Sequence, residues 1–148
     1  MIHRFRTNAG FVELSESEKG VGRLRFVGGG KPTARLSRNA AKVRDFLNCR
    51  RVDLSGIRLD LASATKFQRR VWGLCRKIPR GKTVTYGLLA RKLKTSPRAL
   101  GQALNQNPIP VIIPCHRVVA AGGLGGFALG IHLKTRLLKL ENTLKSKK

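Results

Sequence analysis

Carboxylates are the scarcest charged groups in this 148-residue chain: 7 Asp and Glu stand against 31 Lys and Arg, a formal net charge of +24. A protein so poor in negative charge is drawn to polyanions, chiefly nucleic acid. Cysteine is sparser still. Cys49, Cys75 and Cys115 are too few for a disulfide framework, and the chain reads as intracellular with free thiols. No run of about 18 apolar residues exists, which excludes a transmembrane span. The opening MIHRFRTNAG lacks the apolar core of a secretory signal, so export is not expected. What the chain does have is 41% apolar residues in periodic clusters with charge interspersed, which suits one or two small folded domains and excludes collagen-like or disordered classes.

The few carboxylates are unevenly placed. Residues 1–60 hold 13 basic and 6 acidic side chains, whereas residues 61–148 hold 18 basic and a single acidic one, Glu141. In a region built to attract phosphates, that carboxylate is either a solvated residue near a helix end or a group with a task.

Periodicity divides the chain. Phe11–Leu14 and Val21–Val27 alternate loosely around a polar stretch and predict a hairpin. Gly28-Gly29-Gly30-Lys31-Pro32 is a break and not a phosphate loop, because no GK[ST] ending follows. Ala40, Ala41, Val43, Phe46 and Leu47 fall at helical spacing after an N-cap at Ser37. Ile57, Leu59 and Leu61 predict one more strand. Near 62–65 the period changes from two to about four, which sets the expected boundary: an N-terminal strand-rich α/β domain over 1–62, and a helical, winged-helix-like domain over 63–148. The fold class expected is α/β (α+β).

In the second part, Phe67, Val71, Leu74 and Ile78 form the stripe of a first helix, ended by Pro79-Arg80-Gly81. Cys75 lies near that stripe and reads as a buried structural thiol. A second helix over Tyr86 to Leu93 leads through a short turn to a third, with Ser96 as N-cap and Pro97 at the first position. This is a helix-turn-helix pattern. The third helix runs Pro97-Arg98-Ala99-Leu100-Gly101-Gln102-Ala103-Leu104, so one face is mostly small. Major-groove readers present several long polar side chains to base edges. A smooth face with one arginine suits the minor groove, where an inserted side chain can unstack a base. The same small residues would also suit packing against other helices with Arg98 solvated.

An apolar, strand-like run from Asn107 then delivers Pro114-Cys115-His116-Arg117, followed by the Gly-rich loop Gly122 to Gly126. A cysteine becomes nucleophilic when a base takes its proton or positive charge stabilises the thiolate. His116 is a candidate base, and Glu141 could orient it in a Cys-His-Glu relay. Adjacency alone does not establish that geometry.

The string Ile113-Pro114-Cys115-His116-Arg117-Val118-Val119, preceded by Asn107-Pro108, resembles the signature of the O6-alkylguanine-DNA alkyltransferases. The resemblance extends from Phe67-Gln68-Arg69-Arg70-Val71-Trp72 through Ile78-Pro79-Arg80-Gly81-Lys82, Thr85-Tyr86 and the Ser-Pro-Arg helix to Leu137-Leu138-Lys139-Leu140-Glu141. It implies single-turnover DNA repair: irreversible transfer of an alkyl group, methyl foremost, from O6 of a flipped guanine to Cys115, with a minor activity on O4-alkylthymine. It implies that His116 acts as base through a water and that Glu141 completes the relay. Asn107 would be the hinge asparagine. Arg98 would fill the gap in the base stack, and Tyr86 would rotate the nucleotide and donate a proton. Ser96, Ala99 and Gln68 would join the DNA-binding surface. Cys115, Val118 and Ala128 would contact the guanine, the first two through their carbonyls.

Where the family has a tyrosine-serine pair, this chain has Phe127-Ala128, which removes a hydroxyl from the guanine-binding loop. Some relatives bind zinc in the N-terminal part, but His3 and Cys49 are too few for a tetrahedral site, so no metal is expected. No cofactor is implied, and the partner expected is double-stranded DNA carrying O6-alkylguanine, bound by a monomer inside the cell. The competing readings are a non-reactive binder of alkylated DNA, a winged-helix regulator with a structural cysteine, and a cysteine hydrolase.

Overall fold

Alternating burial in the first 27 residues builds a three-stranded antiparallel sheet from β1 (Ile2–Thr7), β2 (Gly10–Ser17) and β3 (Gly20–Val27), in that order. β2 and β3 are the hairpin expected from the alternation, with Leu14 opposite Leu24. β1 was not expected. Its inward positions are His3, Phe5 and Thr7, and two polar residues among three hide the period. His3 is buried against the Glu16 carboxylate, which also accepts from Ser37 and Asn39. α1 (Arg38–Leu47) starts where Ser37 caps the Ala40 amide and buries Ala40, Val43, Phe46 and Leu47.

The strand expected at Ile57-Leu59-Leu61 does not form. That segment meets β3 only at an isolated bridge, Val21 with Leu59. Val21 donates to the Arg58 carbonyl at 2.9 Å and accepts from the Asp60 amide at 2.8 Å. Gly20, at φ +127°, makes this approach possible, because a Cβ there would lie 2.5 Å from the Arg58 oxygen. The run Ile109–Ile113 is not a strand either. It is a buried turn with Val111 at φ 77°. Pro108, Pro110 and Pro114 remove the amide donors a ladder needs.

The computed structural model describes residues 1–141; the remainder of the expected second domain, 142–148, lies outside the described residues. The chain divides into one unit of Met1–Ala62 with Pro108–Ile112 and another of Ser63–Asn107 with the chain from Ile113 onward. The architecture is mixed α/β. Pro108 belongs with the first unit by accepting the Leu24 amide of β3 at 2.9 Å.

In the second unit, α2 (Lys66–Arg76) opens on a capping box between Thr65 and Gln68. Its buried face is Val71, Trp72 and Cys75, followed by Ile78, while Phe67 and Leu74 are half-buried. The stripe is therefore turned from the one expected, because the Trp72 indole packs inward and donates to the Ala103 carbonyl at 2.9 Å. β4 (Val84–Thr85) leads into α3 (Tyr86–Leu93). A left-handed Lys94 (φ 54°) turns the chain into α4 (Pro97–Asn105), whose N-cap Ser96 accepts from Ala99 at 3.1 Å. β5 (Val118–Val119) pairs in parallel with β4, and α5 (Ile131–Leu140) buries Lys134, Leu137 and Leu138 before ending at Glu141. Among the described residues, no helix is long and apolar enough to cross a membrane.

Candidate active site

Cys115 opens a single 3-10 turn, Cys115–Arg117, all three residues of which are buried. Pro114 ends the preceding turn, and Val118 closes the 3-10 turn by donating to the Cys115 carbonyl. Asn107, just past α4, donates from Nδ2 to the Ile113 carbonyl at 2.9 Å and to Cys115 Sγ at 3.2 Å. One side chain thus fixes both the approach to the turn and the sulfur. The sulfur's residue lines a cavity of about 400 Å³, walled by Tyr86, Pro97, Gly101, Phe127 and Ala128. Burial pushes the Cys115 thiol up, and the Asn107 hydrogen bond and the Lys134 charge oppose that shift.

The two residues that follow Cys115 in the chain belong to a buried ionic group. His116 Nε2 is 2.8 Å from Glu141 Oε2, and neither side chain is exposed to solvent. Arg117 grips the same carboxylate twice, Nε to Oε1 at 2.9 Å and Nη2 to Oε2 at 2.7 Å, and its Nη1 donates to the Ile78 carbonyl at 2.6 Å. Burial alone would raise the Glu141 carboxyl; hydrogen bonds from His116 and Arg117 reverse this and hold it at about 2. Burial holds His116 below its usual value, against the pull of Glu141. The histidine is therefore neutral at pH 7, donating Nε2–H to an ionised Glu141. Its Nδ1, which has no hydrogen-bond partner among the described residues, carries the lone pair in this tautomer and is the basic nitrogen.

Lys134 is wholly buried on α5 and contacts two residues that line the cavity, Tyr86 and Gly126. Its ammonium donates to the Val118 carbonyl at 2.8 Å, the Gly126 carbonyl at 2.9 Å and the Tyr86 hydroxyl at 3.3 Å. It also lies 5.5 Å from the Tyr86 ring centre and 5.9 Å from that of Phe127. Burial lowers it to about 8, so it remains mostly charged at pH 7. Tyr86, whose phenol burial pushes up, donates to the Gly126 carbonyl at 3.0 Å. Gly125 (φ +74°) permits this contact, since a Cβ there would sit 2.7 Å from the Tyr86 ring.

The remaining sequence-predicted residues fall around this centre in different ways. Val118 is buried, and its carbonyl accepts from Lys134. The Cys115 carbonyl likewise accepts from Val118. Ala128 is exposed on the cavity wall. Arg98 is exposed in the first turn of α4, the end of a helix that disfavours a cation. Ser96 and Ala99 are joined by the cap hydrogen bond. Gln68 is engaged at both ends of its amide, accepting from Thr65 at 2.9 Å and donating to Gln106 at 2.8 Å. Among the described residues, no group of three His, Cys, Asp or Glu could hold a metal ion.

Residues 66–143 match the family model described as 6-O-methylguanine DNA methyltransferase, DNA binding domain. The chain belongs to the 6-O-methylguanine DNA methyltransferase family. It is 57% identical over 75 residues to the methylated-DNA–protein-cysteine methyltransferase of Sulfolobus acidocaldarius, covering 51% of this chain and 48% of that protein. It is 45% identical over 103 residues to that of Metallosphaera sedula, covering 70% and 65%. The chain thus spans about half to two thirds of the length of these curated relatives. Mycobacterium tuberculosis OGT, in a crystal structure with DNA, has 30% identity and a TM-score of 0.80, over 96% of this chain and 92% of that one.

Within the family's matched segment, two side chains of the site went unrecognised in the sequence. Arg117 stands in the Pro-Cys-His-Arg string but looks there like one more cation in a basic chain. Lys134 lies one helical turn before Leu137 and Leu138 on the buried side of α5, and that register was the available signal.

Proposed function

We propose that this chain repairs DNA directly, transferring the alkyl group of O6-alkylguanine, methyl foremost, to its own Cys115 in a single turnover. The observation that carries the reading is the placement of Cys115 on the wall of a base-sized cavity, with Asn107 on its sulfur and a buried His116–Glu141–Arg117 group beside it in the chain. His116 Nδ1 takes the thiol proton through a water. The thiolate attacks the alkyl carbon, the carbon–oxygen bond breaks, and the electron pair leaves with guanine. Tyr86 supplies the proton that restores neutral guanine. A thioether does not hydrolyse readily, so the protein is consumed. The reaction needs no metal or cofactor.

The target base must leave the stack to reach the sulfur, at a cost of a few kcal/mol. Arg98, at the exposed start of α4, fills the gap from the minor groove, and Tyr86 crowds the phosphate of the rotated nucleotide. Ser96 and Ala99 lie along the DNA backbone, with Gln68, committed to its cap, contributing least directly. The carbonyls of Cys115 and Val118 accept from the guanine amino group, and the Ala128 amide faces O6. Phe127 and Ala128 offer no side-chain hydroxyl there. The domain boundary near residue 62, an intracellular location and a monomeric state accompany this reading.

Intact-mass measurement after incubation with duplex DNA containing O6-methylguanine tests it. The expected result is one added methyl group, located on Cys115 and absent from Cys115→Ser. An unmodified wild-type protein overturns it.

A further inference from the structure

The first unit carries positive charge that this reaction does not use. A polar cleft of about 500 Å³ lies between the turn joining β1 to β2 and the C-terminal end of α1. Arg6, Arg44 and Arg50 line it, and Asp45 is the one carboxylate among its lining residues. The walls are tied together. The Asn8 amide donates to Asn48 Oδ1 at 2.8 Å, and Thr7 Oγ1 braces the turn by donating to the Gly10 carbonyl at 2.7 Å. Cys49 is left-handed at φ 69°, and the Arg50 amide returns to the Asp45 carbonyl at 3.0 Å. That reversal brings Arg50 to the cleft.

Arg6 and Arg44 are held in place by their neighbours. Arg6 lies over the Phe11 ring at 5.8 Å, and Arg44 is 3.2 Å from Asp45. Three cations outweigh one carboxylate and the partial negative charge of the helix end. None of the lining residues is aromatic, so a nucleobase would find no stacking surface. Guanidinium forks instead match phosphate oxygens.

We infer that this cleft binds the phosphodiester backbone of DNA, a second anchoring point that adds affinity without reading sequence. The inference rests on the proposed DNA partner, but not on the transfer chemistry. The net charge of +24 favours a polymer of phosphates over a single free anion.

Salt titration of duplex binding by the full chain tests the inference. In Arg6→Gln/Arg44→Gln/Arg50→Gln, the slope of log affinity against log salt is expected to shallow by about 0.9 for each phosphate that is no longer neutralised. Affinity at low salt should fall several-fold, with the thermal unfolding midpoint monitored to confirm folding. Asp45→Asn removes the opposing carboxylate and should strengthen binding, a gain that misfolding cannot produce. Unchanged slope and affinity in both variants overturn the inference. So does inorganic phosphate that occupies the cleft while DNA binding stays insensitive to both variants, since that assigns the site to a free anion. A slope change in a protein that never acquires a methyl group would retain the cleft and remove the transfer reading.

Discussion

Arg117 clasps the Glu141 carboxylate with both prongs of its guanidinium, at 2.9 and 2.7 Å, in a site from which solvent is almost excluded. A buried carboxylate left without its cation is costly, whereas the intact pair contributes far less than its Coulomb attraction suggests. The pair's value is geometric. It fixes Glu141 so that His116 Nε2–H has one direction to point, which leaves Nδ1 as the basic nitrogen.

Arg117→Met is accordingly expected to destabilise the fold by about 3–5 kcal/mol, because Glu141 stays buried beside an apolar side chain. Arg117→Lys should recover part of that loss but not the two-pronged grip. Urea unfolding measures the stability. Methyl-transfer rates, measured where both variants remain folded, should be slowed by each.

Acid should weaken the protein in two stages. His116 is held below its usual 6.5 by burial, so the unfolded chain binds a proton there before the folded one does. Stability from this source begins to fall as pH drops through about 6.5. Glu141 sits at about 2 against an ordinary 4.5, so its contribution is present above 4.5 and lost as pH falls from there toward 2. The second stage corresponds to about 3 kcal/mol. Unfolding free energy measured from pH 7 to 3 should show both declines, and Glu141→Gln should lack the lower one.

The positive charge of Lys134 opposes the effect of burial on Cys115. Lys134→Met should move the Cys115 thiol to higher pKa and slow transfer at neutral pH, with the loss partly recovered at higher pH. Alkylation of Cys115 by iodoacetamide across pH gives the thiol titration directly. An unmoved titration would reduce Lys134 to a structural donor for the Val118 and Gly126 carbonyls.

The sequence exposed most of this site because its chemistry is local: Cys115 and His116 are neighbours, Asn107 precedes them in the same segment, and Glu141 is the lone carboxylate of its region. Lys134 was hidden, since a lysine on a helix normally signals the wet face and its buried amine is satisfied by loop carbonyls that no pattern predicts. The fold divided in the same way. Hairpin and caps were legible from alternation and from Ser37 and Ser96. β1 was masked by inward His3 and Thr7, and the Ile57–Leu61 alternation predicted a strand where the backbone supplies only one bridge. Burial without a ladder looks like a strand in sequence.

Arg98 provides the sharpest division between chemistry and delivery. It is exposed at the start of α4, where the helix dipole repels a cation, so fold stability gives little reason for an arginine there. If it fills the stack vacated by a flipped guanine, it matters only when there is a stack to fill. Arg98→Ala should therefore slow methyl transfer from duplex DNA while leaving the reaction with free O6-methylguanine base unchanged. Single-turnover rates on the two substrates give the comparison. Equal slowing on both would place Arg98 in folding or in the chemical step, because the free base requires no opening of a duplex.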